Sequence, residues 1–236
     1  MTGYGEIRGT VSIAGNTISV TGEGDVIKYR REWRGGEYTR LLVRPRRLEL
    51  VPMYPVLLPK KITNYVMVRL LEPIHIPSRG EAMIYIKIPV ELAIMTYDRY
   101  RRYDLVDVFP VMKIKYVLYG SPDRGLIARY WESVPMTDPP DTSIGEARVL
   151  INIRSRYDGW VEIGKILLDS QILKLYYVPG TWRASTQAIT MVVNSPATAT
   201  IYYGRKVEME ARPVHDPPGL RPPRILARTE MLYGLR

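Results

Sequence analysis

The sequence predicts an all-β protein made of two β-sandwich domains of immunoglobulin-like type packed in tandem. Three observations predict it. Apolar and polar residues alternate with period two over most of the chain. About sixteen short β-rich runs recur at spacings of roughly 8–12 residues, divided by Gly and Pro. No stretch shows a long helical period. One sandwich rarely needs so many strands. A split near Pro110 gives an N-terminal sandwich over 1–110, a C-terminal sandwich over 111–213 and a Pro-rich basic tail over 214–236.

The runs follow in order. "EIRGTVSI" and "TISV" flank "AGN", where Gly15 and Asn16 can take positive φ and close a hairpin. "DVIKYRREW" and "EYTRLLVR" flank "RGG", a second hairpin, and "RLELV" extends the sheet. "TNYVMVRLLEPIHIP", "AMIYIKIP" and "VELAIMTY" are each punctuated by Pro, which marks strand ends or edges because Pro donates no ladder hydrogen bond. "DRYRRYDLVDVFP" reads as a charged connector. After the hairpin of 113–133 and the loop "VPMTDPPDTS" comes a second series: "EARVLINIRS", "WVEIGKILL", "ILKLYYV", "TQAITMVV", "ATATIYYG" and "KVEMEARP". The last dozen residues fit either a helix or a docked strand.

Composition bounds the chemistry. The chain has 236 residues, 46% hydrophobic and 25% charged, the balance of a folded domain. Tyr occurs 18 times and Phe once, so many large side chains should be buried at one end and wet at the other. The absence of Cys excludes disulfides, thiolate metal sites and cysteine nucleophiles. Together with the 19 Pro residues and the abundant charge, it also fits a heat-adapted protein. No apolar run approaches the length of a transmembrane helix and the N-terminus has no signal pattern, so a cytoplasmic protein is expected. The net charge of +10 draws the chain to phosphates or acidic partners.

The hairpin "KIKYVLYGSPDRGLIARYWES" carries the candidate site. With Gly120 to Gly125 as its loop and Pro122 at a favoured turn position, Tyr119 pairs with Leu126, Val117 with Ala128, Lys115 with Tyr130, and Lys113 with Glu132 as a cross-strand ion pair. On the other face Leu118 pairs with Ile127, Tyr116 with Arg129 and Ile114 with Trp131. The second face is the more apolar and is expected to turn inward, which buries Arg129. A buried guanidinium needs a partner. It could be a structural ion pair or a stack on Tyr116, an anion site assisted by Arg124 and the Gly-containing loop, or a catalytic group. The anion- or partner-binding residues are thus Lys115, Tyr116, Tyr119, Arg124, Arg129 and Trp131.

These same residues resemble the central signature of the archaeal family known as domain of unknown function 432. Lys115, Tyr116, Leu118, Tyr119, Gly120, Gly125, Ile127, Arg129 and Tyr130 match it. Ala128 stands where members often carry Cys, so thiol chemistry would not carry over. "EPIHIP", "IYIKIPVELAI", "WVEIGKILL" and "LKLYY" resemble other parts of the family. The resemblance implies little about activity. Members are associated with genes for small-conductance mechanosensitive channels, which would imply a membrane-linked partner.

Basic clusters are the other candidate. Arg30, Arg31, Arg34, Arg40, Arg44, Arg46 and Arg47 fall in adjacent strands or turns, and Arg99, Arg101 and Arg102 lie among Tyr97, Tyr100 and Tyr103. Basic residues interleaved with aromatics suit a phosphate backbone or an anionic membrane surface. Interspersed Glu32, Glu37, Asp98 and Asp104 suit a balanced, solvated face instead. The histidines, His75 and His215, stand apart, and no metal site or cofactor is expected. Asp104 with Asp107, or Asp123 with Glu132, are the carboxylate pairs an acid–base reaction could use.

The expected function is therefore binding, without catalysis, of a macromolecular partner: another protein, membrane-associated or not, or a second copy. The alternatives are a nucleic-acid-binding protein using the arginines, and an enzyme with a carboxylate–arginine site.

Overall fold

In the computed structural model, which describes residues 3–43, 47–55, 62–97, 103–217 and 228–236, the chain is all β. The described residues form strands and no helix. In chain order the strands are β1 (Gly5–Ile7), β2 (Gly9–Ile13), β3 (Asn16–Glu23), β4 (Val26–Trp33), β5 (Gly36–Val43), β6 (Arg47–Met53), β7 (Tyr65–Ile76), β8 (Glu81–Pro89), β9 (Glu91–Tyr97) and β10 (Tyr103–Phe109). Then come β11 (Tyr116–Tyr119), β12 (Leu126–Ser133), β13 (Glu146–Ser155), β14 (Val161–Asp169), β15 (Leu175–Tyr177), β16 (Ala184–Ser195), β17 (Thr198–Lys206), β18 (Arg212–Pro213) and β19 (Arg228–Met231).

They make four sheets. One is the antiparallel meander β2-β3-β4-β5. It covers a second sheet, β1-β6-β9-β10: the Tyr29 hydroxyl donates to Asp107 Oδ2 (2.8 Å), and the Tyr38 hydroxyl to the Val106 carbonyl (3.2 Å). The third sheet runs β11-β12-β7-β14. The fourth runs β18-β15-β16-β13-β8, with β17 on the later part of β16 and β19 beyond β17. Pairing is antiparallel except for β12 with β7 and β13 with β16.

The pairing crosses position 110. β7 lies between β12 and β14, and β8 beside β13, so residues 65–89 share sheets with strands far downstream. Only Val90 separates β8 from β9, so the chain passes directly from the fourth sheet into the second. The buried side chains form one cluster from Tyr4 and Ile7 to Met231 and Leu235.

Several expectations are corrected. The supposed connector 98–110 contains β10; residues 98–102 lie outside the described residues, but 103–109 pair with β9. A register shift between Leu105 and Asp107 breaks the alternation that would have marked the strand. In the β2–β3 turn the positive φ falls on Ala14 and Gly15. Asn16 is already in strand, with its Nδ2 donating to the Ala14 carbonyl (3.0 Å). That is the pattern of a two-residue hairpin turn with both central residues left-handed. Pro73 sits inside β7, where pairing with β14 slips between Ile163 and Lys165, a place where a missing N–H costs no ladder bond. "KVEMEARP" is not one strand: β17 ends at Lys206 and only Arg212–Pro213 pairs again. The tail docks as a strand, β19.

Candidate functional site

The hairpin forms in the expected register: Tyr116 opposite Arg129, Val117 opposite Ala128, Leu118 opposite Ile127 and Tyr119 opposite Leu126. Pro122 takes the second position of a turn in which Arg124 N–H donates to the Ser121 carbonyl (3.3 Å). The expected inward face is corrected. Tyr119 and Ala128 are buried, whereas Tyr116, Leu118 and Ile127 are exposed at 38%, 40% and 51%. The face carrying Tyr119 and Ala128 packs on the core instead.

Arg129 is nonetheless buried, 4% exposed, on the opposite side of the strand from Ala128. Its Nη1 donates to Glu91 Oε1 at 3.0 Å, and Glu91 is 1% exposed. Glu91 opens β9 directly after the Val90 crossing, so the pair ties the second sheet to the third. Burial pushes the Glu91 carboxyl up to about 7, against the pull of the Arg129 guanidinium. Burial also lowers Arg129, and Glu91 and Tyr116 raise it. A fully desolvated pair of this kind is a structural tie.

The remaining hairpin residues divide in two. Tyr119 and the loop hold the C-terminus. The Tyr119 hydroxyl donates to the Gly234 carbonyl (3.2 Å) and accepts from Tyr233 N–H (3.2 Å), while the Tyr233 hydroxyl donates to the Arg124 carbonyl (2.6 Å). Lys165 stands over the Tyr119 ring at 5.4 Å. The Arg124 side chain is exposed beside Asp123 at 3.6 Å. On the other side, Lys113 and Lys115 line a cavity of about 220 Å³ with Tyr130, Trp131 and Glu132. Among the described residues neither lysine forms an ion pair, Glu132 lying instead 3.8 Å from Arg69, and the buried Trp131 Nε1 has no hydrogen-bond partner.

Residues 3–231 match the family described as protein of unknown function (DUF432). The chain belongs to this family. The resemblance carried by the hairpin is thereby shown for nearly the whole length. No curated protein and no solved structure matches the chain.

The arginines of this DUF432 chain do not form one uninterrupted cationic surface among the described residues. Neighbouring positions in β4 point to opposite faces. Arg30 is exposed and pairs with Glu32 (2.5 Å) and Glu37 (2.6 Å). Arg31 is buried and binds Asp107 through Nε (2.6 Å) and Nη2 (3.3 Å). Arg47 meets Glu49 at 2.8 Å and lies 4.7 Å from the Tyr97 ring. Arg44, Arg46, Arg99, Arg101 and Arg102 lie outside the described residues. Of the carboxylates, Asp107 is held by Arg31 and Tyr29, and Asp123 lies against Arg124. His215 stacks on Tyr103 at 3.8 Å and His75 stands opposite Glu162 in β7. Among the described residues no group of three or more His, Cys, Asp or Glu could hold a metal ion, and no helix is long and apolar enough to cross a membrane.

Two partners found here could not be read from local sequence. Glu91 lies 38 positions from Arg129 and Asp107 lies 76 from Arg31. The only local signal for either was the cost of burying an unpaired guanidinium.

Proposed function

We propose that the protein works by binding another protein, which adds an extended segment along the free edge of β11. One observation carries this reading: β11 is a sheet edge whose two sides present different chemistry. Tyr116 and Leu118, with Ile127 across from Leu118, are exposed on one side. Lys113 and Lys115, just before β11 and in no ion pair among the described residues, lie on the other, with Glu132 lining the same cavity. An added strand sends alternate side chains to the two sides. The fitting partner therefore alternates apolar and acidic residues. Of the described arginines of the basic clusters, Arg30, Arg31 and Arg47 already face carboxylates, which leaves less charge for a phosphate backbone.

We read the fold beneath this edge as two layered sandwiches that interleave along the chain. One would hold 5–53 and 91–109, the other 65–89 and 116–231. This keeps the layered immunoglobulin-like plan while moving the division away from Pro110. The cytoplasm is the compartment we assign.

The test is fluorescence anisotropy with labelled octapeptides. A Val–Glu alternating peptide is expected to bind and to weaken as salt rises, while a Val–Lys peptide does not bind. Leu118→Glu should abolish binding without lowering the melting temperature. Equal binding of both peptides, or unchanged binding by Leu118→Glu, would overturn the proposal.

A further inference from the structure

A second site lies elsewhere, between β5 and β10. These are the edge strands of the two N-terminal sheets, and they do not pair with each other. A cavity of about 540 Å³ opens in the slot between them.

Its floor is already neutralised. Besides its two bonds to Asp107, Arg31 donates through Nη1 to Asn16 Oδ1 at 3.0 Å. Its guanidinium lies 4.2 Å from the Trp33 ring and 4.6 Å from the Phe109 ring. Tyr38, Leu105 and Val108 supply apolar wall. Arg40 stands at the rim. Its Nη1 donates to the Leu105 carbonyl (3.3 Å), it lies 5.7 Å from the Tyr38 ring, and among the described residues it meets no carboxylate. The slot therefore carries one uncompensated positive charge beside an apolar surface.

The occupant is not an added strand. The Leu105 and Val106 carbonyls on the β10 edge already accept Arg40 and the Tyr38 hydroxyl. That is how a sheet edge is closed to further pairing. The volume is instead that of a small-molecule site, apolar with a few convergent polar groups.

We propose that this slot binds a small molecule with one anionic group and an apolar body, the anion on Arg40 and the body against Tyr38, Leu105 and Val108. A carboxylate or a phosphate monoester supplies the anion equally well, since both accept from a guanidinium fork.

The probe is 8-anilinonaphthalene-1-sulfonate, which joins an anion to an aromatic body and fluoresces when shielded from water. Saturable one-to-one binding to the full chain is expected, weakened about tenfold by Arg40→Ala and less by Arg40→Lys. Melting temperatures should be unchanged, because Arg40 is exposed. Leu118→Glu should bind the dye as the parent does, which separates this slot from the β11 edge. Octanoate and octyl phosphate identify the anion class: displacement by either supports the proposal, and the stronger one names the source. Three results would overturn it: no saturable binding, equal binding by Arg40→Ala, or displacement by octylammonium as effective as by the anions.

Discussion

Replacing Arg129 with Met leaves the Glu91 carboxylate without its partner at a position only 1% exposed. Breaking a buried pair from one side costs about 3–5 kcal/mol, because the surviving charge is uncompensated. The carboxylate has an escape, which is to take up a proton. Each pH unit above the unfolded pKa adds roughly 1.4 kcal/mol to the cost of that escape. From an ordinary value near 4.5, that escape costs the variant about 5 kcal/mol at about pH 8, but the parent, whose own carboxyl ionises only near 7, already bears roughly 3.5 kcal/mol of it, so the ceiling on the difference is about 1 kcal/mol at about pH 8 and near zero at about pH 5. Arg129→Met should therefore be destabilised by about 1 kcal/mol at the higher pH and close to the parent at the lower one. In Arg129→Met/Glu91→Met both charges are gone, and the double variant should recover most of the loss at the higher pH. Equilibrium urea unfolding at the two pH values, with linear extrapolation, measures all three differences. A single variant no less stable than the parent at about pH 8 would refute the tie between β9 and β12. So would a loss that does not shrink in acid.

The parent has a pH signature of its own. The folded Glu91 carboxyl holds its proton up to about 7, against an ordinary value of 4.5, so its contribution to stability is fully present below about 4.5. It should be lost as the pH rises toward about 7, and denaturant midpoints across that window check the direction. Tyr119→Phe removes a hydroxyl that bonds both Gly234 and Tyr233. The expected loss is about 1–2 kcal/mol, with faster amide exchange at Tyr233 by NMR. Asp107→Ala should cost about 3–5 kcal/mol in urea unfolding, since it strands the buried Arg31 guanidinium.

What was legible in the sequence was local. The hairpin register could be read because turn and strands are adjacent, and every predicted pair from Tyr116–Arg129 to Tyr119–Leu126 forms. The strand-rich character could be read from alternation alone. Which face turns inward could not. That judgement assumed one wet side, and the middle of β12 is covered on both: Ala128 packs toward the core and Arg129 is covered by Glu91. Period two tells which residues share a side and is silent on which side is buried when both are. The sharing of sheets across Pro110 was hidden for a related reason. Strand runs can be counted in a sequence, but β7 finds its neighbours, β12 and β14, dozens of residues downstream. β10 was missed because its bulge and the inward Asp107 break the alternation.

The arginine clusters show why a basic run in a strand misleads. "KYRREW" looks like concentrated positive charge, yet alternation divides it between solvent and core. Arg30 goes outward, where the hairpin places Glu37 within reach, a partner visible at short range. Arg31 goes inward to Asp107, a partner supplied by another sheet. Neither guanidinium is then free to attract an anion at full strength. Attraction belongs to cations that folding leaves without a carboxylate, and these cannot be picked out by local density. Lys113 and Lys115 sit in a sparse segment beside an exposed sheet edge, and Arg40 stands alone at the mouth of a slot. Where each charge ends up relative to the acids decides its role, and that depends on pairings the chain makes only when folded.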